Sequence, residues 1–381
     1  MAQVVILGGG FGGLAAAAEL STNHPDLDVT LVDRRDHFFM GFAKLWDLGG
    51  LRPLAEGTRS LHALADRGVR YLQTSVESFD PAARTVVTGE GVLEADAVLV
   101  ALGAAKAPKH LALLAGPGAH DVYDAAALPA IRADLDALTT GRVLVSILGG
   151  PFPCPPAPFE AALVVAERLQ ARGVRDAVTV TVSTPQPMTL PVAGVDASRY
   201  IADRLVDHDV ALRSGSPVAG VDGDAKVVTF GDGSTFAYDV LLGVPASVAP
   251  PLLVDAGLTG DSGFVEPDRH TLRTAVDRVY AVGDCTHIPT ATGALPKAGV
   301  FAAGEAVVAA RNIAADLTGS EPASFDGHGL CFLELPGRRV AFVEGDFYAE
   351  PQPDVTLTEA DEEQHRRKVA YETERLDAWL G

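Results

Sequence analysis

Short apolar runs recur along the chain, and most of them end in glycine or in an acidic residue. Such runs are typical of strands that are covered on both faces of a parallel sheet. Six runs have this pattern: residues 3–7, 29–33, 95–103, 141–149, 177–183 and 279–284. Weaker signals predict strands at 69–72 and 84–88, a hairpin and strand over 225–243, and strands near 329–335 and 339–347.

Segments with a helix-forming composition stand between these runs. We predict helices over about residues 14–21, 158–171, 297–317 and, rich in charge, 358–380. Alternating strands and helices predict the α/β fold class with doubly wound parallel sheets. We expect two Rossmann-like dinucleotide-binding units, followed by a small C-terminal β+α domain.

A glycine-rich loop joins the first predicted strand to the first helix. It contains Gly8-x-Gly10-x-x-Gly13, and Asp33 ends the next strand, 20 residues after Gly13. Gly8 permits a tight turn, Gly10 lets the backbone approach a pyrophosphate, and Gly13 lets the helix pack on the sheet. The helix N-terminus favours phosphate, and Asp33 can accept hydrogen bonds from a ribose. The loop therefore predicts a dinucleotide site.

Two later segments distinguish FAD from a nicotinamide cofactor. Val98–Gly103 and Val279–Asp284 resemble the flavoprotein signatures of oxidoreductases that have two dinucleotide-binding domains. In that superfamily the second signature carries an acid that binds the FAD ribityl chain. Asp284 matches this acid, and helix capping is its alternative role. The expected cofactor contacts are Gly8, Gly10, Phe11, Gly12, Gly13, Asp33, Arg34, Lys44, Val76, Ala101, Gly103, Gly283, Asp284, Lys297 and Ala298.

The second βαβ unit departs from the nicotinamide-binding pattern. After Gly149 and Gly150 the later fingerprint glycines are missing, and five prolines occupy the loop up to Pro158. Each proline removes an N–H donor, so we infer that NAD(P)H binding is weak or absent. The expected domains are residues 1–105 and 244–319 for FAD binding, 106–243 for a degenerate NAD(P)-type domain, and 320–381 for a C-terminal domain with Cys331 and the terminal helix.

Cys154 lies in this proline-rich loop, ahead of a helix whose first position we place at Pro158. A helix N-terminus favours the thiolate, so Cys154 is a candidate redox nucleophile. An inert, partly buried cysteine is an equally open alternative. Cys285 is expected to be structural. Lys44 is expected either to contact the cofactor or to be solvated.

Three segments resemble the sulfide:quinone oxidoreductase and flavocytochrome c sulfide dehydrogenase group. They are Cys154-Pro-Pro-Ala-Pro-Phe-Glu160, Pro296-Lys-Ala-Gly-Val300 and Gly327-His-Gly-Leu-Cys331-Phe-Leu-Glu334. In that group they hold one redox cysteine, a flavin-edge lysine and a second redox cysteine. The resemblance covers nearly the whole chain. It implies that Lys297 lies near N1 and the C2 carbonyl of the isoalloxazine, where a cation stabilises the anionic reduced flavin.

The resemblance also implies a mechanism. Cys154 and Cys331, 177 positions apart, would form a disulfide beside the flavin. Sulfide or another small thiol attacks it, which leaves a persulfide and a thiolate, and the thiolate passes electrons to the flavin. The reduced flavin then supplies a quinone, a cytochrome or another acceptor. Glu160 is a candidate proton acceptor, although a simple first-turn helix acid is the favoured alternative.

The same group gives an expectation for cofactor attachment. Members that link FAD covalently use a cysteine of the N-terminal domain, and no cysteine precedes Cys154 in this chain. We therefore expect non-covalent FAD.

The chain is strongly acidic, with 30 basic and 50 acidic residues and a formal charge of −20. Such a chain repels phosphate backbones and anionic lipids, so no nucleic-acid partner is expected. No targeting or membrane-spanning segment is evident, which predicts a cytoplasmic protein. The charged terminal helix has a thin apolar stripe and allows at most weak peripheral contact with the inner face of the membrane. No metal site is expected, and a homodimer stays open.

Two other functions stay open. A NAD(P)H-driven flavin reductase, of the type II NADH:quinone oxidoreductase kind, would be reduced by NADH and not by sulfide. The altered second fingerprint argues against it. A non-enzymatic flavin-binding redox sensor would keep the cysteines as a switch and would not turn over with any acceptor.

Overall fold

Two five-stranded parallel sheets and one three-stranded antiparallel sheet organise the chain. The computed structural model describes residues 1–381. The strands of these sheets are β1 Ala2–Leu7, β2 Leu27–Asp33, β3 Arg70–Gln73, β4 Ala97–Val100, β5 Ala119–Asp121, β6 Gly141–Ile147, β7 Val178–Ser183, β8 Val210–Arg213, β9 Val240–Val244, β10 Val279–Ala281, β11 His328–Leu335, β12 Arg339–Asp346 and β13 Asp354–Asp361. The α-helices are α1 Phe11–Asn23, α2 Ala43–Gly49, α3 Pro108–Ala112, α4 Leu128–Ala137, α5 Ala157–Ala171, α6 Gly194–Asp207, α7 Pro251–Asp255, α8 Gly299–Thr318 and α9 Glu362–Leu380.

Shorter strands form hairpins and small sheets around this framework. A three-stranded antiparallel sheet contains Val76–Asp80, Thr85–Thr88 and Gly91–Glu94, and another contains Val218–Asp222, Val227–Phe230 and Thr235–Ala237. Two-stranded pairs join His37–Phe38 to Arg59–Ser60, Ala105–Lys106 to Ser247–Val248, and Pro289–Thr290 to Gly293–Ala294.

The first parallel sheet has the strand order β10-β4-β1-β2-β3. Its strands come from two separate parts of the chain, because β10 lies beside β4 although it follows β9 in sequence. Helix α1 connects β1 to β2 and packs against α8. Since all strands run in the same direction, the loops that follow β1, β2, β4 and β10 meet at one edge, where ligands of such sheets bind.

The second parallel sheet has the order β5-β9-β6-β7-β8. Helix α5 connects β6 to β7 and is buried along most of its length. One large apolar cluster continues through both parallel sheets and into the C-terminal sheet. The sequence-based prediction of an α/β fold with two Rossmann-like units and a small β+α domain is confirmed.

The antiparallel sheet β11-β12-β13 and helix α9 form the C-terminal part. Strand β11 packs against α5 and α8, which places it between the two parallel sheets. Helix α9 returns to α1, where Trp379 meets the rings of Phe11 and Phe38 edge-on, with both centroid distances at 5.9 Å. The docked terminal helix is therefore held by aromatic packing. None of the helices has the length and apolar character that crossing a membrane requires.

Several element ends differ from the sequence prediction. The terminal helix begins at Glu362 and not near 358, because a third strand, β13, continues to Asp361. The Asp361 side chain then caps the helix by accepting a hydrogen bond from the Gln364 amide. Helix α1 is longer than predicted, because it begins directly at Phe11 in the glycine-rich loop.

Candidate functional site

The glycine-rich loop after β1 is shaped by close contacts that leave no room for side chains. Gly8 has a φ of +107°, and a Cβ there would lie 2.4 Å from the carbonyl oxygen of Ala101. A Cβ on Gly13 would lie 1.8 Å from the carbonyl oxygen of Gly8. Gly10, in contrast, has no atom within 4 Å of its virtual Cβ. The loop is thus packed against its own sheet at Gly8 and Gly13 and is open toward a ligand at Gly10.

Asp33, at the end of β2, fixes this loop. Its Oδ2 accepts a hydrogen bond of 2.6 Å from the Gly9 amide, and its carboxylate also accepts from the backbone and guanidinium of Arg35. Burial tends to raise the pKa of Asp33, but these hydrogen bonds and the Arg35 charge lower it. Asp33 is therefore an anion that orders the loop. Arg35 could not be singled out from the sequence, since a charged residue after a strand is common.

A cavity of ≈ 830 Å³ opens at this edge of the first sheet and extends toward the second sheet and the C-terminal sheet. Its volume falls within the range of cofactor sites. The cavity is lined by all but one of the expected cofactor contacts, namely Gly8, Gly10, Phe11, Gly12, Asp33, Arg34, Lys44, Val76, Ala101, Gly103, Gly283, Asp284, Lys297 and Ala298. Gly13 lies beneath the loop instead, where it serves packing. Together with the open cradle at Gly10, this lining fits a dinucleotide.

Lys297 lies at the wall of the cavity near Asp284, but its amine is engaged by the protein. Its Nζ donates hydrogen bonds to the carbonyl oxygens of Asp284 (2.8 Å) and Thr286 (2.7 Å). The Nζ also lies 3.7 Å from the centre of the Phe264 ring. Burial lowers the pKa of Lys297 and raises that of Asp284. A contact between Lys297 and the flavin edge stays a prediction.

Cys154 and Cys331 both line this cavity, and both are free thiols. Cys154 has a φ of +49°, its amide donates to the Lys297 carbonyl at 2.6 Å, and its carbonyl accepts from the Tyr123 hydroxyl at 3.2 Å. Cys331 lies in β11. A negative charge on Cys331 raises the pKa of Cys154, which places the two sulfurs in one electrostatic environment. The fold has brought these two distant cysteines to the same wall.

The expectation that a helix N-terminus makes Cys154 a thiolate is wrong for this structure. Helix α5 begins at Ala157, one residue before the predicted start, and Cys154 precedes it in a partly exposed loop. Burial and the nearby Glu160 charge raise the pKa of Cys154 well above its ordinary value. Burial likewise raises the pKa of Cys331 to about 12. Both shifts favour the thiol over the thiolate when the two cysteines are reduced.

Lys44 belongs to the part of the cavity wall that contains Cys154 and Cys331, which we call the cysteine wall. The alternative expectation, that the Lys44 side chain is simply solvated, is wrong. Its Nζ donates to the carbonyl oxygen of Tyr123 at 2.7 Å and lies 5.4 Å from the centre of that ring. Burial lowers the pKa of Lys44 to about 8. Its cation lowers the pKa of Cys154, although less than burial raises it. Tyr123, which binds both residues through its backbone and its hydroxyl, had no sequence signal.

Glu160 stands in the first turn of α5, as predicted, and its carboxylate also contacts groups of β11 and α9. Its Oε1 accepts a hydrogen bond of 2.6 Å from the Glu334 amide on β11 and lies 3.8 Å from the Nζ of Lys368. Burial raises the pKa of Glu160 to about 7, against the opposing effect of the Lys368 charge. This carboxyl lines the cavity beside the cysteines.

Lys368 is the main functional candidate that the sequence did not reveal. It stands among many charged residues of α9, yet its side chain is 0% exposed, and its Nζ lies 2.7 Å from the Oε2 of Glu334. The Nζ also lies 5.0 to 5.6 Å from the ring centres of Phe42, Trp46 and Phe332. Charged residues on a helix usually face water, so composition alone cannot single out this lysine.

In the second βαβ unit, other groups of the protein pack closely against the loop that follows β6. A Cβ on Gly149 would lie 2.4 Å from the His110 ring, and the Ser247 amide donates to the Pro151 carbonyl at 2.6 Å. Strand β7 ends in Ser183, where a nicotinamide-binding unit offers an acid to the ribose. This geometry agrees with the inference that NAD(P)H binding is weak or absent.

Cys285 is structural, as predicted. It is 0% exposed, and its Sγ lies 3.2 Å from the carbonyl oxygen of Val282. Burial raises the pKa of its thiol to about 12.

Comparisons with known proteins agree with this site. Residues 2–300 match the model of the family described as pyridine nucleotide-disulphide oxidoreductase. The chain is 26% identical to the sulfide-quinone reductase of Aquifex aeolicus (strain VF5), covering 97% of this chain and 89% of that protein. It is 23% identical to the mitochondrial sulfide:quinone oxidoreductase of Mus musculus, covering 92% and 79%. The solved structure of sulfide:quinone oxidoreductase from Aquifex aeolicus superimposes with a TM-score of 0.86 at 22% identity, covering 98% of this chain and 90% of that one.

Proposed function

Because the chain belongs to the pyridine nucleotide-disulphide oxidoreductase family, we propose that it oxidises sulfide or a small thiol through a redox disulfide between Cys154 and Cys331. The electrons then reach a quinone by way of FAD. Its similarity to proteins named sulfide:quinone oxidoreductase supports FAD as the cofactor, sulfide as the donor and quinone as the acceptor.

The observation that carries this proposal is the placement of the two cysteines. Cys154 and Cys331 line the same cavity as the glycine-rich loop, although they come from different elements. Cys285, in contrast, does not line this cavity.

When bound, FAD supplies a two-electron acceptor inside the cavity. We propose that the amides around Gly10 and the start of α1 hold its pyrophosphate, since helix N-termini bind phosphate. Asp33 would accept hydrogen bonds from the ribose, and Asp284 from the ribityl hydroxyls. Lys297, whose Nζ donates to the Asp284 carbonyl oxygen, would be the cation at the flavin edge. Attachment is non-covalent in this proposal.

The sulfur step would be a thiol–disulfide exchange. The donor sulfur forms a bond to one cysteine, the Cys154–Cys331 bond breaks, and the bonding electron pair stays on the other cysteine as a thiolate. Burial makes this thiolate unstable, as the raised pKa values of both cysteines indicate. That instability favours onward transfer of its electrons. Lys44 and Lys368 are the cations that lower the pKa of Cys154.

An apolar part of the cavity supports a quinone as the acceptor. Phe42, Val300, Leu330 and Phe332 line it near Lys368, and an aromatic wall suits a quinone ring. In this proposal the protein acts in the cytoplasm and meets membrane quinone through weak peripheral contact.

The proposal is tested by quinone reduction driven by sulfide. Purified protein is mixed anaerobically with sulfide and a short-chain ubiquinone, and quinol formation is followed by absorbance. Replacement of Cys154 or Cys331 by serine is expected to abolish turnover, whereas Cys285→Ser keeps it. Equal activity in all three variants would contradict the disulfide mechanism.

A further inference from the structure

A second, much smaller cavity adjoins the large one on the side of α8. It has a volume of ≈ 10 Å³, which is room for about one water molecule. Four residues line both cavities, namely Gly283, Lys297, Ala298 and Ala302. Glu305 of α8 lines the small cavity and not the large one. Its carboxyl therefore lies behind the wall of the space that is expected to hold the flavin.

Glu305 is a buried acid that the proposed reaction does not use. It is 3% exposed, and its Oε2 accepts a hydrogen bond of 2.6 Å from the Gly283 amide. Its Oε1 has no hydrogen-bond partner in the protein. Burial raises the pKa of Glu305 to about 7, although the Gly283 amide and the Lys297 charge act to lower it. This carboxyl can therefore exchange a proton near neutral pH.

Lys297 connects Glu305 to the large cavity. Its Nζ donates to the carbonyl oxygens of Asp284 and Thr286 at 2.8 Å and 2.7 Å, and an ammonium group has one further N–H to donate. The charges of Lys297 and Glu305 interact, since each favours the ionised form of the other. Because both residues line the small cavity, a water molecule there has a donor on one side and a carboxylate on the other.

We propose that Glu305, acting through the Gly283 amide and the Lys297 amine, takes up one proton by way of a buried water when bound flavin is reduced. Glu305 is a positioning residue in this scheme, because it lies behind the cavity wall and does not touch the cofactor. The inference rests on the FAD of the proposed function and not on the identity of the sulfur donor.

The step balances in electrons and charge. Uptake of two electrons and one proton by bound FAD adds one negative charge beside Lys297. The electrons come from oxidation of the sulfur donor in the proposed function and from an electrode in the test below. A second proton, taken from water, forms an O–H bond at Oε1 of Glu305 and removes the negative charge of that carboxylate. Two electrons and two protons have then entered the site, and its net charge is unchanged.

Electrostatics give the direction of this coupling. A new negative charge beside Lys297 raises the pKa of Glu305, because like charges in a buried site disfavour the ionised carboxyl. In the oxidised protein the pKa is about 7, so Glu305 is mainly ionised above pH 7. In the reduced protein it stays protonated up to a higher pH. The extra proton is therefore taken up above pH 7 and not below it.

The titratable groups that face Glu305 are few, so its titration can be assigned. Asp284 and Cys285 lie in the turn after β10, Lys297 precedes α8, and Tyr348 follows β12. Burial raises the pKa of Cys285 to about 12 and that of Tyr348 well above its ordinary value, which favours their neutral forms. Burial also raises the pKa of Asp284. Asp284 is therefore the acid from which Glu305 has to be distinguished.

The test is a spectroelectrochemical titration of the FAD-loaded protein with mediator dyes between pH 5.5 and 9. One extra proton per two electrons changes the reduction equilibrium tenfold per pH unit, which is about 30 mV for a two-electron couple. Above pH 7 the midpoint potential of the wild type should therefore fall about 30 mV per pH unit more steeply than that of Glu305→Gln. Below pH 6 the two slopes should agree. Equal slopes over the whole range overturn the inference.

The variants are chosen to separate proton uptake from structure. Glu305→Gln retains an oxygen that can accept the Gly283 amide, so a purely structural role would leave the slope unchanged. Glu321→Gln removes an exposed carboxylate just beyond α8 and should keep the wild-type slope. Lys297→Met removes the cation that lowers the pKa of Glu305, so the steeper slope should begin at a higher pH. A slope that begins at the same pH in this variant contradicts the coupling through Lys297.

Infrared difference spectroscopy of protein with ¹³C-labelled glutamate gives an independent readout. At pH 8, electrochemical reduction should produce the carbonyl stretch of a buried glutamic acid in the wild type, and this band should be missing in Glu305→Gln. The label shifts bands of glutamate and not of aspartate, which separates Glu305 from Asp284. Identical difference spectra in the two proteins would contradict proton uptake by Glu305.

These measurements also distinguish the inference from the proposed function. Since the electrode supplies the electrons, no sulfur donor is needed. Protein with the steeper slope that sulfide does not reduce supports the role of Glu305 and refutes sulfide as the donor. Protein that binds no FAD refutes both.

Discussion

The amide of Gly9 donates a 2.6 Å hydrogen bond to the carboxylate of Asp33, and this bond joins the glycine-rich loop to the end of the neighbouring strand. The same carboxylate is held by Arg35. An acid that is expected to bind a ribose therefore also sets the shape of the loop that is expected to bind the pyrophosphate. Loss of the acid would affect both parts of the cofactor site.

Asp33→Ala is expected to weaken FAD binding by about 10- to 100-fold. A hydrogen bond to a charged group contributes about 1.5–3 kcal/mol, and each 1.4 kcal/mol changes the affinity by a factor of ten. Quenching of FAD fluorescence on titration with apoprotein measures the affinity. Asp36→Ala, at a side chain that is 61% exposed, is the control. Equal affinities in the two variants would show that Asp33 does not organise the site.

The glycines of the loop should respond differently to alanine. Gly13→Ala places a methyl group 1.8 Å from the Gly8 carbonyl oxygen, and such overpacking costs about 1–3 kcal/mol of stability. Gly10→Ala meets no atom within 4 Å, so the apoprotein should keep its thermal unfolding midpoint while FAD binding weakens. Thermal unfolding with and without FAD separates the two effects. A Gly10 variant that binds FAD normally would contradict the placement of the pyrophosphate.

The reduced cysteines should react slowly with iodoacetamide at pH 7. Burial raises the pKa of Cys154 well above its ordinary value and those of Cys331 and Cys285 to about 12, and only the thiolate is alkylated. Cys154, which is partly exposed, should react first and faster as the pH rises. Mass spectrometry of digested protein gives the rate at each site. Rapid alkylation of Cys285 would contradict its buried, structural position.

Lys44→Met should slow alkylation of Cys154 further at pH 7. The Lys44 cation lowers the pKa of Cys154, and Lys44 itself has a pKa of about 8. The difference between variant and wild type should therefore be largest below pH 8 and should narrow above it, as the wild-type lysine loses its charge. Lys109→Met, at an exposed lysine, serves as the comparison. The opposite trend with pH would rule out this role of Lys44.

The ion pairs that Glu334 forms with Lys368 and His365 should make the stability of the folded protein depend on pH. Lys368 and His365 lower the pKa of Glu334 to about 2 from an ordinary value of 4.5. A lowered carboxyl pKa stabilises the folded state fully above the ordinary value, and this contribution is lost as the pH falls toward 2. Glu334→Gln should thus cost about 3–5 kcal/mol at pH 7, the usual cost of breaking a buried pair, and less at pH 3. Urea unfolding at both pH values measures this, and a pH-independent cost would argue against the pair.

The sequence predicted the fold and much of the cofactor site because their signals are local. A buried strand, a glycine loop and an acid at the end of the next strand all lie within the first 33 residues. The apolar runs of the parallel strands are equally local. Weaker local signals placed the antiparallel strands β11 and β12 close to their observed bounds. Strand β13 was missed because its residues are mostly exposed and polar.

The chemistry of the cysteine wall could not be predicted in the same way. Lys368 is separated from Glu160 by more than half of the chain, and only tertiary packing buries it. The pKa of Cys154 was expected to fall because of the helix N-terminus, but burial and Glu160 raise it instead. Burial is a property of the whole fold. A short motif shows which group is present, and the fold decides its charge.

In the proposed reaction, sulfur compounds and not nicotinamides reduce the flavin through Cys154. Anaerobic stopped-flow absorbance of the FAD-loaded protein, mixed separately with sulfide and with NADH, tests it most directly when wild type and Cys154→Ser are compared. We predict bleaching of the flavin by sulfide in the wild type, no bleaching in the variant, and little response to NADH in either protein. Bleaching by NADH alone, unaffected by the substitution, would contradict the proposed reaction.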